Sequence, residues 1–300
     1  VHSGDTNTAI RFPAADTFTA ETAGSERLRI TSSGRVVVGD DTERNNYDNG
    51  SVTSNLLHVE RTAASGNAGI SICANAATAA DVGAILYMGR TSATSNGGST
   101  IVEDDDLIGR ISFQGADGSE LVEAACIRVD VDGTPGANDM PGRIEFHTTA
   151  DGGSGSVERF RIDSRGSFNF SNGFMNETVK INTAARTGTQ AVNLDEGMVH
   201  YFSTNSSGTW KPNFTMSAGD DINATIATGD VFSPTMIVAK GATTHYANAI
   251  QVDGSDVTPE FLGGAPSDGG GSGTFDIYSY TIIKTGDDTF KAFASVSNYE

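Results

Sequence analysis

The sequence contains few of the residues that build helices or covalent frameworks. Only 8 of its 300 residues are Leu, 5 are Lys and 13 are Glu, three types that strongly favour helices. Its two cysteines, Cys73 and Cys126, form no C-x-x-C motif, and we expect both as small buried side chains. No run reaches the ~18 apolar residues that a membrane-spanning helix needs. These absences argue against a helical bundle, a disulfide scaffold and helical membrane insertion.

Turn-forming residues are abundant instead. The chain has 36 Gly and 25 Asp, and together with Ser and Thr they interrupt the sequence roughly every ten residues. Interruptions at this spacing leave room for short strands but not for long helices. The composition therefore predicts an all-β protein.

Positive charge is also scarce. With 19 Lys and Arg against 38 Asp and Glu, the formal net charge is −19. Such a surface repels phosphate backbones and anionic membranes, so we expect no nucleic-acid partner and no membrane insertion. The same charge favours solubility, above all in salty water that screens self-repulsion.

An internal repeat is the most informative pattern in the chain. E-R-L-R-I-T-S-S-G occupies 26–34, and E-R-F-R-I-D-S-R-G occupies 158–166. In both copies apolar residues alternate with charged ones, and a turn ends on glycine, Gly34 or Gly166. Alternation followed by such a turn predicts a β-hairpin with one apolar face.

The apolar face of each hairpin needs a partner, because a hairpin this short is not stable alone in water. Stacked units of one chain, as in a solenoid, supply such a partner, and so do copies wound around a common axis. Hydrophobic residues are thinly dispersed over 1–175, which favours the second arrangement. We therefore predict a parallel homotrimer whose core near the axis contains four residues: Leu28, Ile30, Phe160 and Ile162.

A second repeat lies between the hairpins. G-R-I-S-F-Q-G-A-D-G-S occupies 109–119, G-R-I-E-F-H-T-T-A-D-G-G-S occupies 142–154, and G-A-I-L-Y at 83–87 is a weaker copy. Each copy predicts a strand with Ile and an aromatic residue on one face. We expect Arg110 and Arg143 on the other face, in solvent.

Charge usage divides the chain. Arg occurs 14 times, the last at Arg186, whereas four of the five Lys follow that position. This switch suggests two parts of different origin, and the last third reads as five or six strands separated by turns, typical of a sandwich or jelly roll. The predicted organisation is a proximal β-hairpin shaft module at 1–50, a β-rich shaft domain at 51–175, a connector at 176–197 and a distal β-sandwich head at 198–300.

Several segments resemble tail-fibre proteins of marine bacteriophages, including those that infect cyanobacteria. They are I-R-F-P-A-A-D-T-F-T-A-E-T-A-G-S-E-R-L-R-I-T-S-S-G at 10–34, D-L-I-G-R-I-S-F-Q-G-A-D-G at 106–118 and A-A-C-I-R-V-D-V-D-G-T-P-G-A-N-D-M-P-G-R-I-E-F-H-T-T-A-D-G at 124–152. The resemblance implies an elongated trimeric fibre with β-hairpin or β-prism-like shaft modules and a C-terminal β-sandwich or jelly-roll head. It also implies a virion structural protein, assembled in the host cytoplasm, whose partners are other tail proteins and a host receptor.

Motifs for catalysis and cofactors are missing. The five His form no metal-binding motif with Cys or Glu, and neither a G-x-S-x-G elbow nor a phosphate-binding glycine loop occurs. We expect no enzyme activity, no cofactor and no metal. Two alternatives stay open: paired carboxylates could serve a hydrolytic tailspike, and E-D-D-D at 103–106 could gather around Ca²⁺ rather than form an exposed loop.

Aromatic residues of the last third are the candidates for receptor contact. Trp210, His245, Tyr246 and Phe261 lie at turns or on short strands, and aromatic faces beside Asp and Asn suit the CH faces and hydroxyls of a sugar. We expect these four residues on an exposed surface that binds a cell-surface glycan or outer-membrane protein. The alternative to such an adhesin is an adaptor or decoration protein of the virion that touches no receptor.

Overall fold

The computed structural model describes residues 4–39, 46–49, 55–61, 67–75, 83–217, 220–242, 244–267 and 274–299. The chain forms two compact units, Val1–Phe174 and Met175–Glu300, called here the N-terminal and C-terminal units. In the described ranges the helical elements are one 3-10 turn, Leu194–Glu196, and one short helix, α1, Ile222–Thr225. The all-β expectation is confirmed. No helix in these ranges is long and apolar enough to cross a membrane.

The first sheet of the N-terminal unit has five strands. They are β1 (Ala9–Arg11), β2 (Phe18–Thr22), β3 (Ser25–Ile30), β4 (Val36–Val38) and β5 (Leu57–Val59), arranged in chain order. The first four pair antiparallel, and β5 joins β4 in parallel. The predicted hairpin is β3–β4, and its turn uses Gly34 at φ +81°, where a side chain would strain the backbone.

The second sheet of this unit repeats the plan on a larger scale. Its strands are β6 (Leu107–Ala116), β7 (Leu121–Val131), β8 (Gly142–Thr148), β9 (Val157–Ile162) and β10 (Phe168–Phe170), all antiparallel to their neighbours. The second predicted hairpin is β9–β10, with Gly166 at φ +80° in the turn. Both copies of the E-R-x-R-I repeat thus form the hairpin that their alternation predicts.

The C-terminal unit is a two-sheet sandwich. One sheet contains β11 (Val179–Asn182), β13 (Val199–Phe202), β16 (Thr235–Ala239), β20 (Phe275–Gly286), β21 (Thr289–Tyr299) and β19 (Pro259–Phe261) in that order, with β15 (Val231–Phe232) beside β20. The other contains β12 (Gly188–Asn193), β14 (Trp210–Thr215), β17 (Ile250–Val252) and β18 (Ser255–Val257). The strands predicted for the last third are present, with β13, β14, β16, β17, β20 and β21 among them.

The chain winds between the two sheets as it proceeds. Strands β11, β13 and β16 pair in parallel in one sheet, and β12, β14 and β17 pair in parallel in the other. A jelly roll is built from antiparallel strands, so this unit is the sandwich of the two forms predicted. Residues 176–197, predicted as a connector, supply β11 and β12, the first strand of each sheet. The predicted domain boundaries remain predictions.

The core of the C-terminal unit is aromatic. The Trp210 ring meets the Tyr278 ring edge-on at 5.4 Å between centroids, and Phe214 meets Tyr280 in the same way at 5.3 Å. The Arg186 guanidinium lies 5.1 Å from the centroids of both Phe202 and Trp210 and donates to the carbonyls of Thr204 and Ala239. Burial lowers the pKa of Arg186 to about 10.

Candidate subunit interface on the N-terminal sheets

One face of the β6–β10 sheet is apolar across its whole width. Cross-strand pairing aligns Ile111, Ile127, Phe146, Phe160 and Phe170 in a single row, because directly opposite residues point to the same side. The Phe160 ring lies 5.0–5.6 Å from the rings of three neighbours, Phe146, Phe168 and Phe170. The row is therefore a continuous aromatic and aliphatic strip.

A second row runs beside the first on the same face. It consists of Gly109, Val129, Ile144, Ile162 and Phe168. Among the described residues this face is uncovered: the Phe168 side chain is 69% exposed, and that of Phe113, in the next position along β6, is 53% exposed. A contiguous exposed apolar surface is a candidate for contact with another molecule.

The β1–β5 sheet has the same construction. Ile30 pairs with Phe18 and Val36, and Leu28 pairs with Ala20 and Val38, so these residues share a face. Ile10 and Leu57 extend that face on β1 and β5, and both are exposed. Leu28 and Ile30 of the first E-R-x-R-I repeat therefore lie on the apolar face of their sheet, as Phe160 and Ile162 of the second repeat do.

The opposite face of the β6–β10 sheet is charged, and it is the covered one. The Glu123 side chain, 4% exposed, accepts hydrogen bonds from Arg110, from the Ser112 hydroxyl at 2.5 Å and from the Ser156 hydroxyl at 2.6 Å. Further along, the buried Asp130 carboxylate binds Arg128 at 2.6 Å. The sheet therefore covers its ions and exposes its hydrocarbons, the reverse of an isolated globular domain.

A second ionic group on this face centres on Glu145. Its carboxylate accepts from Arg143 at 2.6 Å and from the His147 ring at 2.8 Å. Arg143 also reaches Asp105 at 2.8 Å and the Val131 carbonyl at 2.9 Å. The expectation of a solvated Arg143 is wrong, because its side chain is 11% exposed and is bound through its Nε and Nη1 atoms; Arg110 is partly covered, at 31% exposed.

The electrostatics of this face favour charged side chains. Burial raises the pKa of Glu123, but the hydrogen bonds from Arg110, Ser112 and Ser156 outweigh burial and lower the pKa to about 2. For Glu145, burial is likewise outweighed by Arg143 and His147, and its pKa falls below the ordinary value. Both carboxylates are therefore ionised at neutral pH and held in place by their partners.

All four residues predicted for the trimer core lie on the two apolar faces. Leu28, Phe160 and Ile162 are half-buried in a single chain, and Ile30 is exposed. Full burial of a Phe or Ile side chain contributes about 1.5–3 kcal/mol, so covering even a few of them outweighs the entropy of ordering them. That these residues meet around an axis stays a prediction.

The interpretation of the sequence missed most of this surface. Ile111, Phe113, Ile144 and Phe146 belong to the G-R-I-x-F repeats, which place Ile and Phe on one face but do not say which face is covered. The covered charges, Glu123 above all, carry no motif. The sequence does show regularly spaced charged residues on the polar side of each strand. That pattern is compatible with buried ion pairs as well as with charges exposed to solvent.

The expectation that Trp210 is exposed is wrong. Its side chain is 3% exposed because Trp210 opens β14, where every second residue, Trp210, Pro212 and Phe214, points into the sandwich. Part of the Trp210 residue still borders a cavity of about 240 Å³ with Lys211, Asn248 and Gly188. The indole face itself is packed against Tyr278 and is not available for stacking on a sugar.

The other three receptor candidates are half-buried. The His245 Nδ1 atom lies 2.9 Å from the Ser206 carbonyl oxygen and 3.2 Å from the Ala242 backbone nitrogen, and it hydrogen-bonds to one of them at a time, which holds the loop before β17. Tyr246 follows it in the same loop, and Phe261 ends β19 packed against the core. The structure does not bring the four candidates together on one surface.

The remaining sequence candidates have structural partners. In the 103–106 loop, Asp106 binds Arg90 at 2.8 Å, Asp105 binds Arg143, and Asp104 accepts from the Gly133 amide at 2.7 Å. No group of three or more metal-ligating side chains occurs in the part of the chain that the structure describes. Cys126 is buried as expected, but Cys73 is exposed, and the two are not bonded to each other.

Comparisons with known proteins give weak structural similarity only. A scan against protein-family models and a search of curated proteins find no match. Among solved structures, the chain is similar to the carboxy-terminal domain of the bacteriophage T5 L-shaped tail fibre with its intramolecular chaperone domain, at 13% identity and a TM-score of 0.42, over 59% of this chain and 48% of that one. The chain thus spans about half the length of that structure.

A second structure of the T5 fibre domain gives a similar result. The carboxy-terminal domain of the bacteriophage T5 L-shaped tail fibre matches at 14% identity and a TM-score of 0.36, over 59% of this chain and 70% of that one. Both TM-scores are below 0.5, so neither similarity shows a function for this chain.

Proposed function

We propose that this chain is a structural protein of a bacteriophage virion, a homotrimeric tail fibre that attaches to the host cell surface. The observation that carries the proposal is the inverted N-terminal unit, which covers its ions and exposes two apolar sheet faces. The sequence resemblance at 10–34, 106–118 and 124–152 to phage tail fibres supports it. The all-β fold, divided into two units, is what such a fibre requires.

Self-association explains the exposed faces better than stacking within one chain. A solenoid covers its apolar surface with the next repeat of the same chain. Here the two repeats lie in different sheets, and the described residues leave both apolar faces open. A parallel trimer brings three copies of each row together, so every Phe160 meets two others.

The proposed assembly is tested by light scattering of the intact chain. We expect a mass three times the 31.1 kDa of one chain. Phe160→Asp should abolish the trimer, because three carboxylates would converge in an apolar contact. Leu262→Asp is the matched control: it places the same charge on an exposed leucine of a C-terminal loop, and it should leave the mass unchanged. A stable, folded monomer of the unaltered chain would overturn the assembly.

Attachment is the finer part of the proposal. We assign it to the C-terminal unit, where loops join the strands of a rigid sandwich. The half-buried Tyr246 and His245 remain candidates, whereas Trp210 serves the core. The expected ligand is a cell-envelope glycan or an outer-membrane protein, bound without bond cleavage.

Binding is tested with labelled intact protein on cells that the phage infects. Tyr246→Ala should lower the bound fraction, and Glu260→Gln, on β19, is a surface control that should not. Absence of binding by a properly assembled trimer would favour the adaptor or decoration protein. Release of sugar from envelope polysaccharide would favour the hydrolytic tailspike over the adhesin.

A further inference from the structure

Residues 83–90, called here the bridging segment, belong to no helix and to no sheet of their own chain. No backbone N–H or C=O group in the bridging segment has a hydrogen-bond partner among the described residues. Five consecutive residues, Ala84 to Met88, are apolar, and all are exposed; Tyr87 is 84% exposed and Leu86 is 67% exposed. The segment therefore lacks both of the contacts that a strand requires.

Unpaired backbone next to so many apolar side chains is unfavourable without partners. Backbone amides and carbonyls next to apolar side chains are shielded from water once those side chains are covered, and nearly all such groups in proteins are paired. An unbroken apolar run, rather than an alternating one, is typical of a strand covered on both faces. Residues 83–87 are also the weaker copy of G-R-I-S-F, whose other two copies lie in β6 and β8.

The segment is held at the rim of the apolar face described above. The Met88 Cβ atom lies 3.2 Å from the position that a side chain on Gly109 would occupy, so Met88 passes directly over β6. Arg90 then binds the Asp106 carboxylate at 2.8 Å and the Leu107 carbonyl at 3.4 Å. These contacts fix one end of the segment beside β6, which is an edge strand of its sheet.

We propose that the bridging segment pairs with the sheet of a second copy of this chain and adds a strand beside β10. This proposal rests on the homotrimer proposed above. The described sheet ends at β6 on one side and at β10 on the other. In a rotationally symmetric ring, the β6 side of one copy faces the β10 side of the next. A segment held beside its own β6 therefore meets that edge.

The uncharged, apolar composition of the bridging segment matches the β10 edge of a second copy of this chain. Gly83 to Gly89 contain no charge in a chain of net charge −19, so the segment suits an uncharged surface. The neighbouring copy offers such a surface through Phe168 and Phe170, both exposed on β10. The same copy also offers the unpaired backbone edge of a strand, so one partner satisfies both requirements.

Hydrogen exchange of the full-length protein tests the proposal, after light scattering has established its mass. In the trimer, amides of 84–89 and 168–170 should exchange at least tenfold more slowly than in monomeric Phe160→Asp. Amides of β20 and β21 should stay protected in both proteins and show that the C-terminal unit of the variant is folded, and amides of β7, at the centre of the altered sheet, report whether that sheet is retained. A trimer with rapid exchange at 84–89, or equal protection in the monomer, would overturn the strand but not the trimer.

The remaining outcomes are also decisive. Protection of 84–89 without protection of 168–170 would overturn the assignment to β10, and a monomeric mass would overturn both proposals. A matched pair of variants adds a second readout: Ile85→Asp should raise the trimer dissociation constant at least tenfold. Thr94→Asp adds the same charge to an exposed bend outside the segment and should leave that constant unchanged.

Discussion

The two units of this chain handle their apolar surface in opposite ways. In the C-terminal unit two sheets turn their apolar faces towards each other and bury Phe202, Phe214 and Tyr280 within one chain. In the N-terminal unit each sheet leaves its apolar face open among the described residues, and the β6–β10 sheet instead covers the carboxylates of its opposite face. The same strand alternation thus gives a complete core in one unit and half of a core in the other.

The two units should therefore depend differently on the proposed assembly. Stability that comes from a core within the chain does not change with protein concentration, whereas stability that comes from contacts between copies does. The C-terminal unit should therefore be folded as a monomer. The N-terminal unit should reach its full stability only in the oligomer.

The largest effect is expected when the two units are separated into fragments. A fragment of residues 175–300 should fold as a monomer, because it contains both sheets of the sandwich. A fragment of 198–300 should not fold, since it lacks β11, β12 and the buried Val192 and Arg186. Fluorescence reports the result: Trp210 is the only tryptophan, and its emission should be blue-shifted in the first fragment alone. A folded 198–300 fragment would show that residues 176–197 are a connector and are not needed for the sandwich to fold.

A smaller effect than loss of folding, but still a large one, is expected from a substitution in the aromatic core. Phe214→Ala removes a fully buried ring that packs against Tyr280, and should lower the free energy of unfolding of the C-terminal unit by about 3–5 kcal/mol. Urea unfolding followed through Trp210 measures the change, and light scattering should show an unchanged trimer. Phe293→Ala is the control, because that ring is partly exposed on β21 and should cost under about 1.5 kcal/mol. A loss of the trimer in Phe214→Ala would mean that assembly depends on the C-terminal unit.

The covered ions of the N-terminal unit predict a dependence on pH. The pKa of Glu123 is about 2 in the folded chain, against an ordinary value of 4.5, so its ionised form stabilises the fold. That contribution, at most about 3 kcal/mol, is complete above pH 4.5 and is lost as the pH falls towards 2. Hydrogen exchange of β7 amides measures it. Glu123→Gln should speed this exchange at pH 7 and flatten its acid dependence, and an unchanged acid dependence would contradict the assignment.

The smallest effect is expected from an ion pair on the surface of the C-terminal unit. Lys291 and Glu260 join β21 to β19, but both side chains are well exposed. Glu260→Gln should change the free energy of unfolding by less than about 1 kcal/mol, because solvent screens such pairs. A change as large as that from Glu123→Gln would remove the distinction between covered and exposed ions that separates the two units.

Local patterns in the sequence were sufficient to predict the hairpins and most strands. Alternation in E-R-x-R-I, with Gly34 and Gly166 at the turns, defines both hairpins because side-chain period and turn geometry are properties of a few adjacent residues. The stretch D-I-N-A-T-I-A-T-G-D at 221–230 is compatible by its sequence with either one helical turn or an alternating strand. It contains α1, whose first turn is capped by the Asp221 carboxylate.

Which face of each sheet is covered could not be predicted from such local patterns. Alternation at Arg143 defines two faces, but the choice between solvent and partner is made by distant residues such as Asp105 and Glu145. Trp210 was misplaced for a related reason: Gly208 and Pro212 around it resemble a turn. Pro212 is tolerated within β14 because β17 pairs only with Asn213 and Phe214, so its missing amide lies beyond the reach of that neighbour.

The parallel winding of the C-terminal unit has a consequence for how it reaches its folded state. Val199 must find Thr235 before β13 and β16 can pair, whereas β20 and β21 are joined by the two-residue turn Asp287–Asp288 and pair along almost their whole length. Contacts close in sequence form faster than distant ones, since less chain entropy is lost in closing them. We expect the last strands of the chain to form first and to act as the template on which the earlier turns are wound.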